Sequence, residues 1–285
     1  MIKIIETVRD GFQGLKPFLS TAKKIECINA LLKVGFDAID VGSFVSEKAV
    51  PQMTDTAEVI RNLNLSNTRS KIMVLVGNEK GAKIAAGFKQ IDQLIYPFSI
   101  SETFLNKNIN ADFQKAEHDL DDIVNICNKR NKELVVYLTM GFGNPYGDPW
   151  NLEIIHHFIE RLIVKGVKII PLSDITGEST PQKIKEVYTS IIPAYPDIEF
   201  GFHLHSSKDT WFEKVDAAFN SGVERFDTVI GGMGGCPMTG YELLSNLNTT
   251  NLYSYLRDKN IETQINKDQF ELCGNLIKSL FKGNQ

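Results

Sequence analysis

A chain of 285 residues, 42% hydrophobic and 23% charged, can bury a sizeable core and is neither disordered nor collagen-like in composition. Its 31 Lys and Arg against 35 Asp and Glu leave a formal net charge of -4, which excludes a polyanion-coating surface and makes nucleic acid an unexpected partner. Four cysteines, Cys27, Cys127, Cys236 and Cys273, form no C-x-x-C pair, and no apolar run approaches the ~18 residues of a membrane span, so a soluble protein of the reducing cytoplasm is expected, with no membrane partner.

Along the chain, short β-branched runs alternate with longer helical patterns up to about residue 247, the signature of βαβ units. Strands are expected at residues 2–6, 38–41, 72–76, 93–96, 134–138, 169–172, 198–205 in part, and 225–230. Most are continuous apolar runs, as strands covered on both faces require. The first helical pattern, residues 21–34, puts Ile25, Ile28, Leu31 and Leu32 on one face. Similar patterns follow at 56–63, 79–88, 113–129, 152–164, 181–192 and 208–220, several ended by Gly, and two more helices are expected after residue 247.

Eight β/α repeats in this length fit a closed (β/α)8 TIM barrel with extra C-terminal helices, one catalytic domain spanning residues 1–285. A doubly wound open sheet would usually carry G-x-G-x-x-G after its first strand, whereas the turn here reads Thr7-Val8-Arg9-Asp10-Gly11.

In a barrel the active site lies at the C-terminal ends of the strands, and four polar clusters are expected there: Arg9-Asp10, Asp40, His203-Leu204-His205 and the run Gly231 to Cys236. His203 and His205, two apart on a strand, point to one side, as two metal ligands would or as two hydrogen-bonded core histidines would. Asp10 offers an oxygen ligand from the opposite wall, or else is a turn residue bonding local backbone. Arg9 suits a substrate carboxylate or an enolate oxygen, or a bridge to Asp40 or Glu6. The glycine-rich run reads as a closing lid that carries Cys236, as a phosphate cradle, or as a plain turn.

Several motifs together resemble the 3-hydroxy-3-methylglutaryl-CoA lyase family, metallolyases of the barrel class. They are Arg9-Asp10-Gly11-Phe12-Gln13, Ser43-Phe44-Val45-Ser46 with Val50-Pro51-Gln52-Met53, Lys107-Asn108-Ile109-Asn110, Ser173-Asp174 through Thr180-Pro181, the H-x-H pair, and Gly234-Gly235-Cys236-Pro237. The resemblance implies cleavage of a 3-hydroxy-3-methylglutaryl-CoA-like ester to acetyl-CoA and a 3-oxo acid such as acetoacetate. By position it implies metal ligands Asp10, His203, His205 and Asn246, with a divalent cation, Mg or Mn before Zn. It further implies Arg9 as substrate and enolate stabiliser, Asp40 and Cys236 as catalytic groups with Cys236 the loop acid/base, Lys16 as a CoA contact, an acyl-CoA substrate, and a homo-oligomer, a dimer first.

The chain departs from the family where it has Asp40 for Glu, Ser206 for Asp and Asn144 for Cys, and where the stretch from Cys236 to Asn246 is one residue longer and lacks the small residues around the Asn. A carboxylate drawn back by one methylene at Asp40 points either to a relative of the usual substrate or to conservative drift without functional effect. The alternatives are an aldolase or Claisen-type synthase of the same branch, sharing Asp10, His203 and His205, and a catalytically degraded acyl-CoA-binding barrel.

Overall fold

The computed structural model describes residues 1–15, 18–234 and 244–281. Strands β1 (Lys3–Glu6), β2 (Ala38–Ser43), β3 (Lys71–Leu75), β4 (Gln93–Ser99), β5 (Glu133–Thr139), β6 (Ile169–Asp174), β7 (Glu199–Ser206) and β8 (Arg225–Thr228) follow one another in space as in sequence. All neighbours are parallel, and the pairing of β8 with β1 closes the sheet into the expected TIM barrel. A two-residue strand, β9 (Ser245–Asn246), adds to β7 in the antiparallel sense and sets Asn246 opposite His205.

Seven of the surrounding helices occupy the expected patterns: α2 (Thr21–Leu31), α3 (Thr56–Arg61), α4 (Glu79–Ala85), α6 (Phe113–Arg130), α7 (Leu152–Val164), α8 (Pro181–Ala194) and α9 (Trp211–Asn220). Their apolar stripes pack on the outer face of the barrel in one continuous core. Side chains cap several N-termini, among them Asn151 on Ile154 N–H and Thr180 on Lys183 N–H. After α7 and α9 the chain turns through Gly166 and Gly222 at φ 87° and 93°, a region that favours glycine. The C-terminal helices α10 (Thr249–Asp258) and α11 (Lys267–Phe281) follow. No helix among the described residues is long and apolar enough to cross a membrane.

Two helices were not foreseen, α1 (Val8–Gln13) and α5 (Glu102–Ile109), and both lie at the C-terminal end of the barrel. Five strands also run further than expected: β2 continues to Ser43, β4 to Ser99, β5 to Thr139, β6 to Ser173 and Asp174, and β7 to Ser206. Those polar ends are buried, so hydropathy stops short of where the pairing stops. At β8 the opposite holds, because Ile230 leaves the sheet to begin a 3-10 turn, Ile230–Gly232. The barrel interior is filled by Ile5, Ala38, Met73, Ile95, Val135 and Tyr137 below this polar layer.

Candidate active site and metal centre

Arg9 and Asp10 reach the mouth of the barrel on α1, which starts directly after β1. The helix ends pressed against the loop after β8: a Cβ on Gly234 would lie 2.6 Å from the Asp10 carbonyl oxygen, and one on Gly11 2.9 Å from Val229 Cγ1. Glycine at 234 therefore lets the two backbones meet, and glycine at 11 leaves room for the Val229 side chain.

The Arg9 guanidinium is clamped. Its Nε and Nη2 donate to Asp40 Oδ2 at 2.9 and 2.7 Å, and Nη1 donates to Asp10 Oδ1 at 3.0 Å and Gln13 Oε1 at 3.1 Å. Burial works against its charge, but Asp40 and Asp10 outweigh that and hold it protonated. Of the two bridges foreseen for Arg9, the one to Asp40 forms; Glu6 instead accepts from Ile230 N–H and from the Thr249 hydroxyl, each at 2.9 Å. Asp40 is 0% exposed, with one oxygen on Arg9 and the other, Oδ1, without a partner. Burial pushes its carboxyl up to about 6 against the pull of Arg9.

His203 and His205 point inward from β7, and their Nε2 atoms face each other at 3.0 Å. Asp10 Oδ2 lies 3.5 Å from His205 Nε2, and one ligand atom from each of the three residues falls within 4.8 Å of the others. Asp10 comes from the strand two places along, through β8, and not from the opposite wall. It is also no local turn residue: its Oδ2 accepts from Asn246 Nδ2 at 2.9 Å, and that amide donates to Met233 O as well.

The donor set fits a cation. On the outer side, His203 Nδ1 lies 3.2 Å from Asp227 Oδ2, which fixes the proton there and leaves the Nε2 lone pair turned towards His205. Burial lowers the His205 pKa and so keeps the ring neutral, as a ligand must be. Burial would raise Asp10, yet the His205 hydrogen bond and the Arg9 charge bring its carboxyl well below the usual range, so it stays ionised. Asp10, His203 and His205 thus form a buried group that could hold a divalent metal ion.

These residues floor a cavity of about 600 Å3. Its walls include Val45, Ser46, Val50 and Pro51 after β2 and Lys107 to Asn110 on and after α5, the segments singled out as motifs. Asp40 is not in the wall and stands behind Arg9. Lys16 and Cys236 lie outside the described residues.

A model of the HMGL-like family matches residues 1–277. The chain belongs to that family. The mitochondrial hydroxymethylglutaryl-CoA lyase of Homo sapiens is 30% identical over 279 residues, 97% of this chain and 84% of the relative. Among solved structures, an HMG-CoA lyase from Brucella melitensis superposes with a TM-score of 0.90 at 27% identity, covering 99% of each chain. An HMG-CoA lyase from Acinetobacter baumannii in complex with coenzyme A and 3-methylmalate gives 0.91 at 26% identity over 99% of this chain and 92% of that one. As a member of the HMGL-like family, the protein is a carbon–carbon lyase.

One residue of the site, Asp227, carries no motif in the sequence. Asp227 holds His203 and also accepts from the Tyr137 hydroxyl. Its signal was a carboxylate in an otherwise buried strand, a costly placement unless it has partners. The departure at Asn144 has a local account: Oδ1 accepts from Tyr146 and Asp148 N–H, and Nδ2 donates to Asp148 O, so the amide shapes the loop after β5.

Proposed function

We propose that the protein cleaves 3-hydroxy-3-methylglutaryl-CoA, or a close 3-hydroxy acyl-CoA, to acetyl-CoA and a 3-oxo acid, acetoacetate for the parent ester. The observation that carries this reading is the convergence of Asp10, His203 and His205 at the floor of a cavity beside the clamped Arg9. The Acinetobacter relative, bound to coenzyme A, supports an acyl-CoA as the substrate class.

Asp10, His203 and His205 would hold the cation, with Asn246 as a further ligand once its amide is turned to present Oδ1 instead of Nδ2. A divalent cation, Mg or Mn before Zn, would supply Lewis acidity that makes the substrate's tertiary hydroxyl easier to deprotonate. When that proton leaves, the carbonyl of the 3-oxo acid forms, the C2–C3 bond breaks and its electron pair passes to the thioester as an enolate. Arg9 faces the cavity with its fork already fixed by Asp40 and Asp10, so it stabilises that charge without reorganising. Cys236, next in the chain after the glycine run, protonates the enolate carbon, and Lys16 contacts the CoA portion. Three described cysteines, Cys27, Cys127 and Cys273, are buried free thiols, which suits a reducing, cytoplasmic setting.

The reaction is tested by incubating the purified protein with 3-hydroxy acyl-CoA esters plus Mg or Mn and identifying the products by mass. Chelation should abolish turnover and the cation restore it, and His205→Ala should lose metal content and rate together. Full turnover after metal removal, verified by elemental analysis, would sink the assignment. Cys236→Ser should lower kcat by about 10²–10⁴-fold with metal content intact. A phosphate cradle in that loop would raise KM for the ester instead.

A further inference from the structure

Ser173, the last residue but one of β6, is 1% exposed, lines the cavity with Arg9, His203 and His205, and has an Oγ without a hydrogen-bond partner. It lies in a row of residues that pair across the sheet: Ser99, Thr139, Ser173, His203 and Asp227. The other two hydroxyls of the row are spent on the backbone. Thr139 Oγ1 donates to Phe98 O at 2.9 Å, and Ser99 Oγ donates to Thr139 O at 3.2 Å. His203 is tied back to Asp227. Ser173 alone among these hydroxyls has no hydrogen-bond partner, and it belongs to a residue of the cavity wall.

Its position relative to Arg9 gives the hydroxyl a direction. Around the barrel the strands run β1, β8, β7, β6, so Arg9 flanks the histidines on one side and Ser173 on the other. Adjacent strands are ~4.8 Å apart, which puts Ser173 one strand from His203 and within a side chain's reach of any substrate held there. In the reaction proposed above Arg9 takes the thioester half, so the opposite half of the acyl group would lie against β6. A buried hydroxyl with nothing to bond is costly, and a carboxylate oxygen is its strongest available acceptor.

We propose that Ser173 is a specificity-determining residue whose hydroxyl donates to the carboxylate of the acyl group, the half released as the 3-oxo acid. This rests on the reaction proposed above. The site then prefers 3-hydroxy acyl-CoA esters with a distal carboxylate over those ending in an alkyl group, for which the Ser173 hydroxyl would stay unpaired.

Ser173→Ala removes the hydroxyl with almost no change in volume, and Ser173→Thr keeps it. Kinetics of the Mg- or Mn-loaded enzyme with 3-hydroxy-3-methylglutaryl-CoA are compared with those for 3-hydroxy-3-methylbutyryl-CoA, used as alternative substrate or competitive inhibitor. Calorimetric titration with free 3-hydroxy-3-methylglutarate and elemental analysis complete the set. Ser173→Ala should lower kcat/KM for the carboxylate ester by about 10- to 100-fold and weaken the free acid by a similar factor. The butyryl ester should be affected less than about twofold, a change too small for a lost hydrogen bond, with metal content unchanged and Ser173→Thr retaining most of the discrimination. An equal loss for both esters, or none for the carboxylate ester and the free acid, would overturn the assignment. If the wild type turns over neither ester, the reaction itself fails, and the titration still decides whether Ser173 is the donor.

Discussion

Two arginines lie inside this barrel, one at each end, and the same chemistry does different work in the two places. At the N-terminal end Arg225 is 2% exposed, with Nη1 on Glu199 Oε1 at 2.9 Å and Nη2 3.9 Å from Met73 Sδ. Gly201 on the next strand makes room for it, since a Cβ there would lie 2.8 Å from Arg225 Cδ. Arg225 is thus a packed plug. Arg9 at the other end is held as firmly by Asp40, Asp10 and Gln13, but it borders a cavity. A guanidinium with carboxylates behind it and open space in front is an electrostatic tool, whereas one enclosed on all sides only holds strands together.

Removing each charge should separate the two roles. Arg9→Met should lower kcat by about 10²–10³-fold, the loss typical of a single donor aimed at developing charge. Arg225→Met should instead cost about 3–5 kcal/mol of stability, because Glu199 and Asp227 lose their cation, and its kcat per folded molecule should fall less than that of Arg9→Met. Urea midpoints and turnover, measured on the same preparations, check both. A stability loss that is larger for Arg9→Met would dissolve the distinction.

The carboxylate behind Arg9 sharpens the comparison further. Asp40 puts a single oxygen on both Arg9 nitrogens and leaves the other oxygen without a partner, a one-against-two contact where a longer side chain would match the fork two against two. Asp40→Glu should therefore shift Arg9 within the cavity and change relative kcat/KM between acyl-CoA substrates by a few-fold, with smaller changes in overall rate than Arg9→Met produces. Ratios unchanged in an active variant would make Asp40 an anchor with no part in substrate choice.

The barrel itself was legible because its signals are local: apolar runs of strand length, helical stripes and glycine stops recur in a fixed order. The site was legible where it rides on strands. His203 and His205 follow from the two-residue period of β7 alone. What escaped depends on contacts between distant segments. The helix α1 has six residues, no side-chain cap from Thr7 and a glycine inside, so nothing local announces it, and it is held by packing against the loop after β8. Asn246 comes from the resemblance and from no local pattern, because it reaches Asp10 through the two-residue β9 beside His205, a pairing too short to show in the sequence. Asp227 looks like an ordinary strand residue, and Ser173 is only one member of a longer motif, until register sets them on either side of His203.

A buried carboxyl completes the series, because Glu6 has no cation beside it among the described residues. It sits on β1 behind the glycine turn, and burial pushes its carboxyl up to about 8, with hydrogen bonds from Ile230 N–H and Thr249 only partly opposing the rise. The folded protein therefore binds a proton here that the unfolded chain, with an ordinary value of 4.5, releases earlier. By linkage, the stability this group contributes is fully present below about 4.5 and is lost as pH rises through about 8. Glu6→Gln keeps a carbonyl for Ile230 and an amide that can donate to the Thr249 oxygen, and it is neutral at every pH. Its Tm should lie near that of the wild type at pH 5 and gain on it steadily towards pH 9, by about 2–4 °C for each kcal/mol recovered. Parallel Tm curves across that range would mean that Glu6 titrates normally in the folded protein. A change in kcat larger than the change in stability would tie Glu6 to the chemistry through the glycine turn and place it with Arg9, not with Arg225.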